Sequence, residues 1–354
     1  MRSYDLFQNC NYSVRLPPST VISQTERDLW VVLKMEEYSS ERRWEDMELD
    51  ILVRIFKTFN IIELTSGISR VCSTWRLACS DPMLWKTLDL GLLRSNYIKI
   101  PSAPFVWVSD SSDRRLMRLL KVALGLSHGS ITCLIFHFNL YLKDEHLIYT
   151  AERCPGLKRL VLPAWNRITK GGIRKAIRIW EDLESMTMPS IGYPPYIMEE
   201  IGKSCKNFTE LKLMGPCDII FASTLATWLP KLKVLSLRCS MLTKEVLISI
   251  LDSLMDLEVL NISHCMLIEV PEPPASKRVL RELDETIIEK ASRLREFYFC
   301  LEDSCIMCQR MKADEGLIRW YKYEEWSWRV DEVSSLSLAM EQHVEVAGGG
   351  IVLS

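Results

Sequence analysis

CPGLKRLVLP, residues 154–163, sets Leu157, Leu160 and Leu162 in an apolar-x-x-apolar-x-apolar pattern. The closing Leu-Val-Leu alternates, which places two side chains on one face and Val161 on the other, as a short strand requires. The same spacing recurs along the chain. Ile131, Leu134 and Phe136 precede it. Leu183, Met186 and Met188 follow, then Phe208, Leu211 and Leu213, then Leu232, Leu235 and Leu237, then Leu257, Leu260 and Ile262, and finally Leu294, Phe297 and Phe299. The first six units start 24 to 26 residues apart; the last interval is 37, and VPEPPASK (270–277) marks the inserted loop. Between these runs lie helical stretches such as DEHLIYTAERC, GGIRKAIRIW and TKEVLISILDSL.

One strand and one helix cannot bury their own apolar face, so such units must stack. The pattern resembles the leucine-rich repeat, which implies an α/β solenoid with short parallel strands inside and helices outside. Residues between the strand leucines then line the concave face: Ile135, Val161, Thr187, Lys212, Ser236, Asn261 and Tyr298. Two positions on come His137, Pro163, Pro189, Met214, Arg238, Ser263 and Cys300. From this face we take Val161, Thr187, Lys212, Met214, Ser236, Arg238, Asn261 and Tyr298 as substrate-facing candidates. The row is polar in the middle and apolar at both ends, which suits a protein partner of modest polarity.

Before the repeats, WEDMELDILVRIFKTF spaces Met47, Ile51, Ile55 and Phe59 four apart, with Leu52 and Phe56 beside them. That is an amphipathic helix with a wide apolar face. Asp46 or Asp50 can cap or charge its first turn. A second helix fits 61–68. A third fits 69–79, with Val71, Cys72 and Trp75 on one face; Ser80-Asp81-Pro82 ends it, because proline disfavours helical geometry in the residue before it. Three short helices in under fifty residues make a core too small to be comfortable alone, and such a module is usually completed by a partner.

The elements MELDIL, RIF, TFN, VCSTWR and DPMLW, in that order, resemble the F-box, with Trp75 and Trp85 as large apolar anchors. Glu48 and Asn60 stand where that family favours proline. An F-box followed by leucine-rich repeats resembles the F-box/leucine-rich-repeat proteins, particularly the plant type, over about residues 44–302. The resemblance implies a non-catalytic substrate receptor of an SCF-type ubiquitin ligase. It also implies an adaptor-binding face of Met47, Ile51, Leu52, Ile55, Phe56, Phe59, Val71 and Trp75, a Skp-type adaptor and through it a cullin as partners, and an unidentified protein as target. The alternative is a protein-binding repeat scaffold whose F-box-like helices only cap the solenoid.

The expected organisation is a disordered extension at 1–40, an F-box at 41–92, repeats at 93–302, and a cap with a flexible tail at 303–354. Residues 1–34 read as an upstream extension, since Met35 begins a natural start. The bulk numbers agree with this. The chain has 354 residues, 48% hydrophobic and 25% charged, with a formal net charge of −2. That balance excludes the basic footprint of a nucleic-acid binder, and no window reaches the apolar length of a membrane helix. Twelve cysteines without a signal peptide point to reduced thiols in the nucleus or cytoplasm.

Intrinsic chemistry is sparse. The five histidines, His128, His137, His146, His264 and His343, show no metalloprotease spacing, and no glycine loop follows a strand to cradle phosphate. CLEDSCIMC (300–308) carries a CxxC pair, Cys305 and Cys308, with Cys300 as a third thiol. A structural zinc site wants four ligands, and no second CxxC or His-x-x-x-His stands nearby. The expectation is therefore plain thiols at the end of the solenoid and no cofactor, with a zinc-dependent activity the weakest reading. Cys154, Cys205 and Cys265, the last at the Asn/Cys position that Asn139 fills in the first unit, read as small buried residues. RWYKYEEWSWRV (319–330) reads as a cap on the last repeat in preference to a ligand cage.

Overall fold

A computed structural model describes residues 44–93, 110–136, 142–163, 166–188, 195–271 and 276–316. The chain divides into two units, residues 1–47 and 48–354. Of the first, the described part is Met47 and a 3-10 turn at Trp44–Asp46. The expectations for residues 1–40, for Asn139, for the 319–330 aromatic run and for the tail lie outside the described residues.

The second unit opens with three helices: α1 (Leu49–Phe56), α2 (Ile61–Ser66) and α3 (Ser73–Ala78). α1 is shorter than the sequence period suggests. Thr58 turns the chain, its amide and its hydroxyl both donating to the Ile55 carbonyl, and Asn60 then caps α2. The Asn60 side chain accepts from the amides of Ile62 and Glu63 at 2.9 and 3.0 Å. Glu63 returns the favour by accepting from the Asn60 amide at 2.9 Å. This capping box supplies the entry to α2.

Strand β1 (Thr87–Asp89) follows, and it begins the main sheet. The eight strands, in spatial order, are β1, β2 (Cys133–Ile135), β4 (Arg159–Val161), β6 (Ser185–Met188), β7 (Glu210–Leu213), β9 (Val234–Ser236), β11 (Val259–Ser263) and β14 (Glu296–Cys300). All neighbours are parallel. The register aligns Asp89, Ile135, Val161, Thr187, Lys212, Ser236, Asn261 and Tyr298 in one row. Seven of those eight are the row expected from the sequence. Short second strands form two flanking ribbons: β3 (Leu142–Lys143) with β5 (Asn166–Arg167), and β8 (Pro216–Cys217), β10 (Met241–Thr243), β12 (Met266–Glu269) and β13 (Arg278–Val279). The helices return the chain from strand to strand: α4 (Asp110–Ser127), α5 (Asp144–Arg153), α6 (Lys170–Ile179), α7 (Pro195–Ser204), α8 (Ile219–Trp228), α9 (Lys244–Ser253) and α10 (Glu285–Ala291). α11 (Ile306–Ala313) closes the described chain.

The core is the stack of repeat positions. Leu134, Leu160, Met186, Leu211, Leu235 and Leu260 are all fully buried. The last unit departs from this: Phe297 is half-buried and Phe299 exposed, because β14 is the edge strand of the sheet. Buried tryptophans lock successive layers. Trp180 Nε1 donates to the Cys154 carbonyl at 2.9 Å, and the Cys205 thiol lies 3.3 Å from the Trp180 carbonyl. The Cys265 thiol reaches the Leu237 carbonyl at 3.0 Å. Burial pushes the Cys154 and Cys205 thiols up to about 12, which makes them packing groups that stay protonated.

Candidate docking surface and the inner face of the repeats

The helical module carries its own small core. Leu52 and Phe56 are each 1% exposed, and the Phe56 ring meets Trp75 edge-on with centroids 5.4 Å apart. Leu52 and Phe56, expected in the adaptor-binding face, therefore point inward, where neither side chain offers area to a partner. The Cys72 sulfur accepts from the Trp75 amide at 3.4 Å and starts α3. Cys72 is thus a cap, and Val71 lies outside the helix that was expected to carry it. Asp81 accepts from the Met83 amide at 2.8 Å and holds the exit turn.

Trp85 finishes the module. It is 1% exposed, and its indole N–H donates to the Cys79 carbonyl at 2.6 Å. It fastens α3 to the first strand of the solenoid. α2 also packs against α4, so the helices and the repeats are one continuous structure. Burial pushes the Cys79 thiol up to about 11.

What remains outside is unusually apolar. Leu49, Ile51, Phe59, Val71, Leu77 and Met83 are all exposed, Ile51 by 41% and Val71 by 61%, and Ile55 and Trp75 are half-buried. Six large apolar side chains within residues 49–83 are more than so short a segment leaves to water without a reason. Of the sequence-expected face, Ile51, Ile55, Phe59, Val71 and Trp75 keep accessible surface. Met47 belongs to the other unit and is half-buried.

The inner face of the repeats differs from its expectation in a different way. The row is aligned, but Val161, Thr187, Lys212, Met214, Ser236 and Arg238 are buried, Asn261 is half-buried, and only Tyr298 of the candidates is exposed, at 39%. Met214 is covered because α11 folds back, packing Met307 and Met311 against Met214 and Cys239. The Lys212 ammonium lies 3.8 Å from a Glu210 carboxylate oxygen, which lowers the cost of burying both charges. The middle of the row is thus packed interior. Open apolar and polar surface lies at the β14 end, where Tyr298 and Phe299 stand. His137 and Pro189 lie outside the described residues.

The three cysteines of CLEDSCIMC sit together, as their spacing suggests, and a fourth residue joins them. His264, in the turn after β11, brings Nδ1 within 3.4 Å of Cys305 Sγ and 3.5 Å of Cys308 Sγ. Sequence reading missed it because it lies 36 residues before Cys300. The one available signal is the strand register, which pairs Ser263 with Cys300.

Comparison with known proteins accords with this geometry. Residues 49–91 match the F-box-like family. Over 307 residues the chain is 60% identical to the F-box/LRR-repeat protein At3g48880 of Arabidopsis thaliana, covering 86% of this chain and 99% of that protein. The chain belongs to the F-box/LRR-repeat family. More distant F-box relatives from the same plant include the putative F-box protein At4g11580, 27% identical over 86% of this chain and 99% of its own length. F-box protein SKIP1 is 28% identical over 50% of this chain and 57% of its own length. The matched F-box residues, 49–91, span α1 to β1, so the last part of the F-box is also the first strand of the LRR sheet.

Proposed function

We propose that this chain is the non-catalytic substrate-recognition subunit of an SCF-type E3 ubiquitin ligase, working in the nucleus or cytoplasm. The F-box helices dock on a Skp-type adaptor, which links the chain to a cullin, and the repeats hold a target protein. Such a receptor performs no bond chemistry; it raises the effective concentration of target beside the ubiquitin carrier. The supporting observation is the exposed apolar set on a module that already has its own core. Helices that only capped the solenoid would turn Ile51, Val71, Leu77 and Met83 inward, because exposing them gains nothing. The scaffold alternative has one observation in its favour: β1 does join the repeat sheet.

Target recognition is best placed at the β14 end, around Tyr298, Phe299 and half-buried Asn261, in preference to the buried middle of the row. The test is capture of a purified plant Skp-type adaptor by the full-length chain, with Ile51→Asp and Val71→Asp as variants. Both sites are exposed, so the repeats should fold normally while capture is lost. Undiminished capture by the double variant would remove this surface from the account.

A further inference from the structure

We propose that His264, Cys300, Cys305 and Cys308 form a structural zinc site that staples the C-terminal end of the solenoid. The inference is independent of the ligase reading. Among the described residues these four form a group whose ligating atoms all lie within 4.8 Å of one another. The separations decide the chemistry. Zn–S and Zn–N bonds of about 2.3 and 2.05 Å in a tetrahedron give edges of roughly 3.8 Å between two sulfurs and roughly 3.5 Å between sulfur and nitrogen. Here Cys300 Sγ and Cys308 Sγ are 3.7 Å apart, and Cys305 and Cys308 lie 3.4 and 3.5 Å from His264 Nδ1. These three of the six edges are those of a closed Cys3His centre, and the other three lie within 4.8 Å.

Hydrogen bonding alone does not account for the convergence. One imidazole Nδ1 has a single lone pair or a single N–H, yet two sulfurs approach it at equal range. A cation at the centre of the four atoms satisfies all of them at once. Soft thiolates with one imidazole in a tetrahedral set select zinc over harder cations.

The fold delivers each ligand from a different place. His264 occupies a left-handed turn at φ 60°, the position that Cys239 takes at φ 56° one repeat earlier. Its amide donates to the Cys300 carbonyl at 3.0 Å, which fixes the turn to the end of β14. Cys305 stands at the N-cap position of α11 and Cys308 lies in its first turn. Metal binding would therefore tie β11, β14 and α11 together and hold Met307 and Met311 on Met214 and Cys239. Four protein ligands leave no open position, so the site is structural and supports no hydrolytic step.

The experiment uses the full chain purified from zinc-supplemented medium under reducing conditions. Elemental analysis should find one equivalent of zinc after dialysis. Cobalt substitution should give the d–d bands of a tetrahedral thiolate site, and X-ray absorption on the wild-type protein should show three sulfurs and one nitrogen. Cys308→Ser and His264→Asn should each lose the metal, whereas Cys72→Ser should keep it; asparagine is chosen because it tolerates the left-handed backbone. Chelation should speed tryptic cleavage within α11, at Arg310 and Lys312, at least tenfold. Folded wild-type protein that holds less than a tenth of an equivalent after zinc exposure would overturn the proposal, as would a Cys300–Cys308 disulfide in the natively isolated chain. The absorption measurement does not depend on any variant folding.

Discussion

Replacing Trp85 with alanine should sever the F-box from the repeats more sharply than any other single change. The indole is 1% exposed and reaches back from just before β1 to the Cys79 carbonyl at the end of α3. Truncating a buried tryptophan costs about 3–5 kcal/mol through lost transfer energy and the cavity left behind. The Cys79 carbonyl, which accepts from the indole at 2.6 Å, loses its side-chain partner and adds about 1 kcal/mol. Total stabilities of domains are about 5–15 kcal/mol, so a combined loss of at least about 4 kcal/mol opens the junction before the rest. Repeat arrays unfold in parts, which makes hydrogen exchange by mass spectrometry the right assay. Peptides covering 71–92 should lose about a thousandfold in protection, at about 1.4 kcal/mol per factor of ten, while those covering β7 and β9 change little. Trp85→Phe keeps most of the apolar volume and loses the hydrogen bond, so it should cost about 1–2 kcal/mol. Protection at 71–92 within threefold of wild type in Trp85→Ala would refute the claim that this side chain joins the two parts.

Two further changes separate packing from propensity. A Cβ on Gly202 in α7 would stand 2.3 Å from the Trp228 carbonyl oxygen, whereas one on Gly125 in α4 would meet nothing within 4 Å. Gly125→Ala should therefore raise stability by about 0.5–1 kcal/mol, while Gly202→Ala should lower it by about 1–2 kcal/mol as α7 and α8 are forced apart; denaturant titration of both checks the signs. Arg293 donates to the carbonyls of Leu251, Leu254, Met255 and Leu257 at 2.6, 2.8, 3.2 and 3.4 Å, satisfying the end of α9. Arg293→Met should cost about 1–2 kcal/mol from lost charge-assisted bonds at a helix C-terminus, and exchange protection of the last turn of α9 would show it.

The repeat was legible because its period is long and its buried positions are strict. A run of Leu-x-x-Leu-x-Leu spacings predicts both strands and their register, down to the row from Ile135 to Tyr298. The strand that escaped, β1, carries the same signal: Trp85, Leu88 and Leu90 fit the template, but Trp85 also ends the F-box pattern and reads as part of it. Two-residue strands such as β3 and β5 leave no periodic trace at all. The apolar face of α1 is wide, so periodicity alone does not tell Ile51, which faces out, from Leu52, which faces in. Burial of Met214 escaped for a related reason: which strand positions α11 covers depends on where the chain returns, and Met307 and Met311 say only that something apolar packs there. His264 needed the register of β11 against β14 before its nearness to Cys300 meant anything.

The central claim concerns the surface of α1 and α3, and calorimetric titration of the full-length chain with a purified Skp-type adaptor tests it most directly. The account predicts binding that Ile51→Asp weakens at least thirtyfold, since charge at the centre of an apolar interface costs about 2 kcal/mol or more, with the far-ultraviolet spectrum of the repeats unchanged. A folded wild-type chain that binds no adaptor, or binds it equally well with aspartate at 51 and 71, would contradict it.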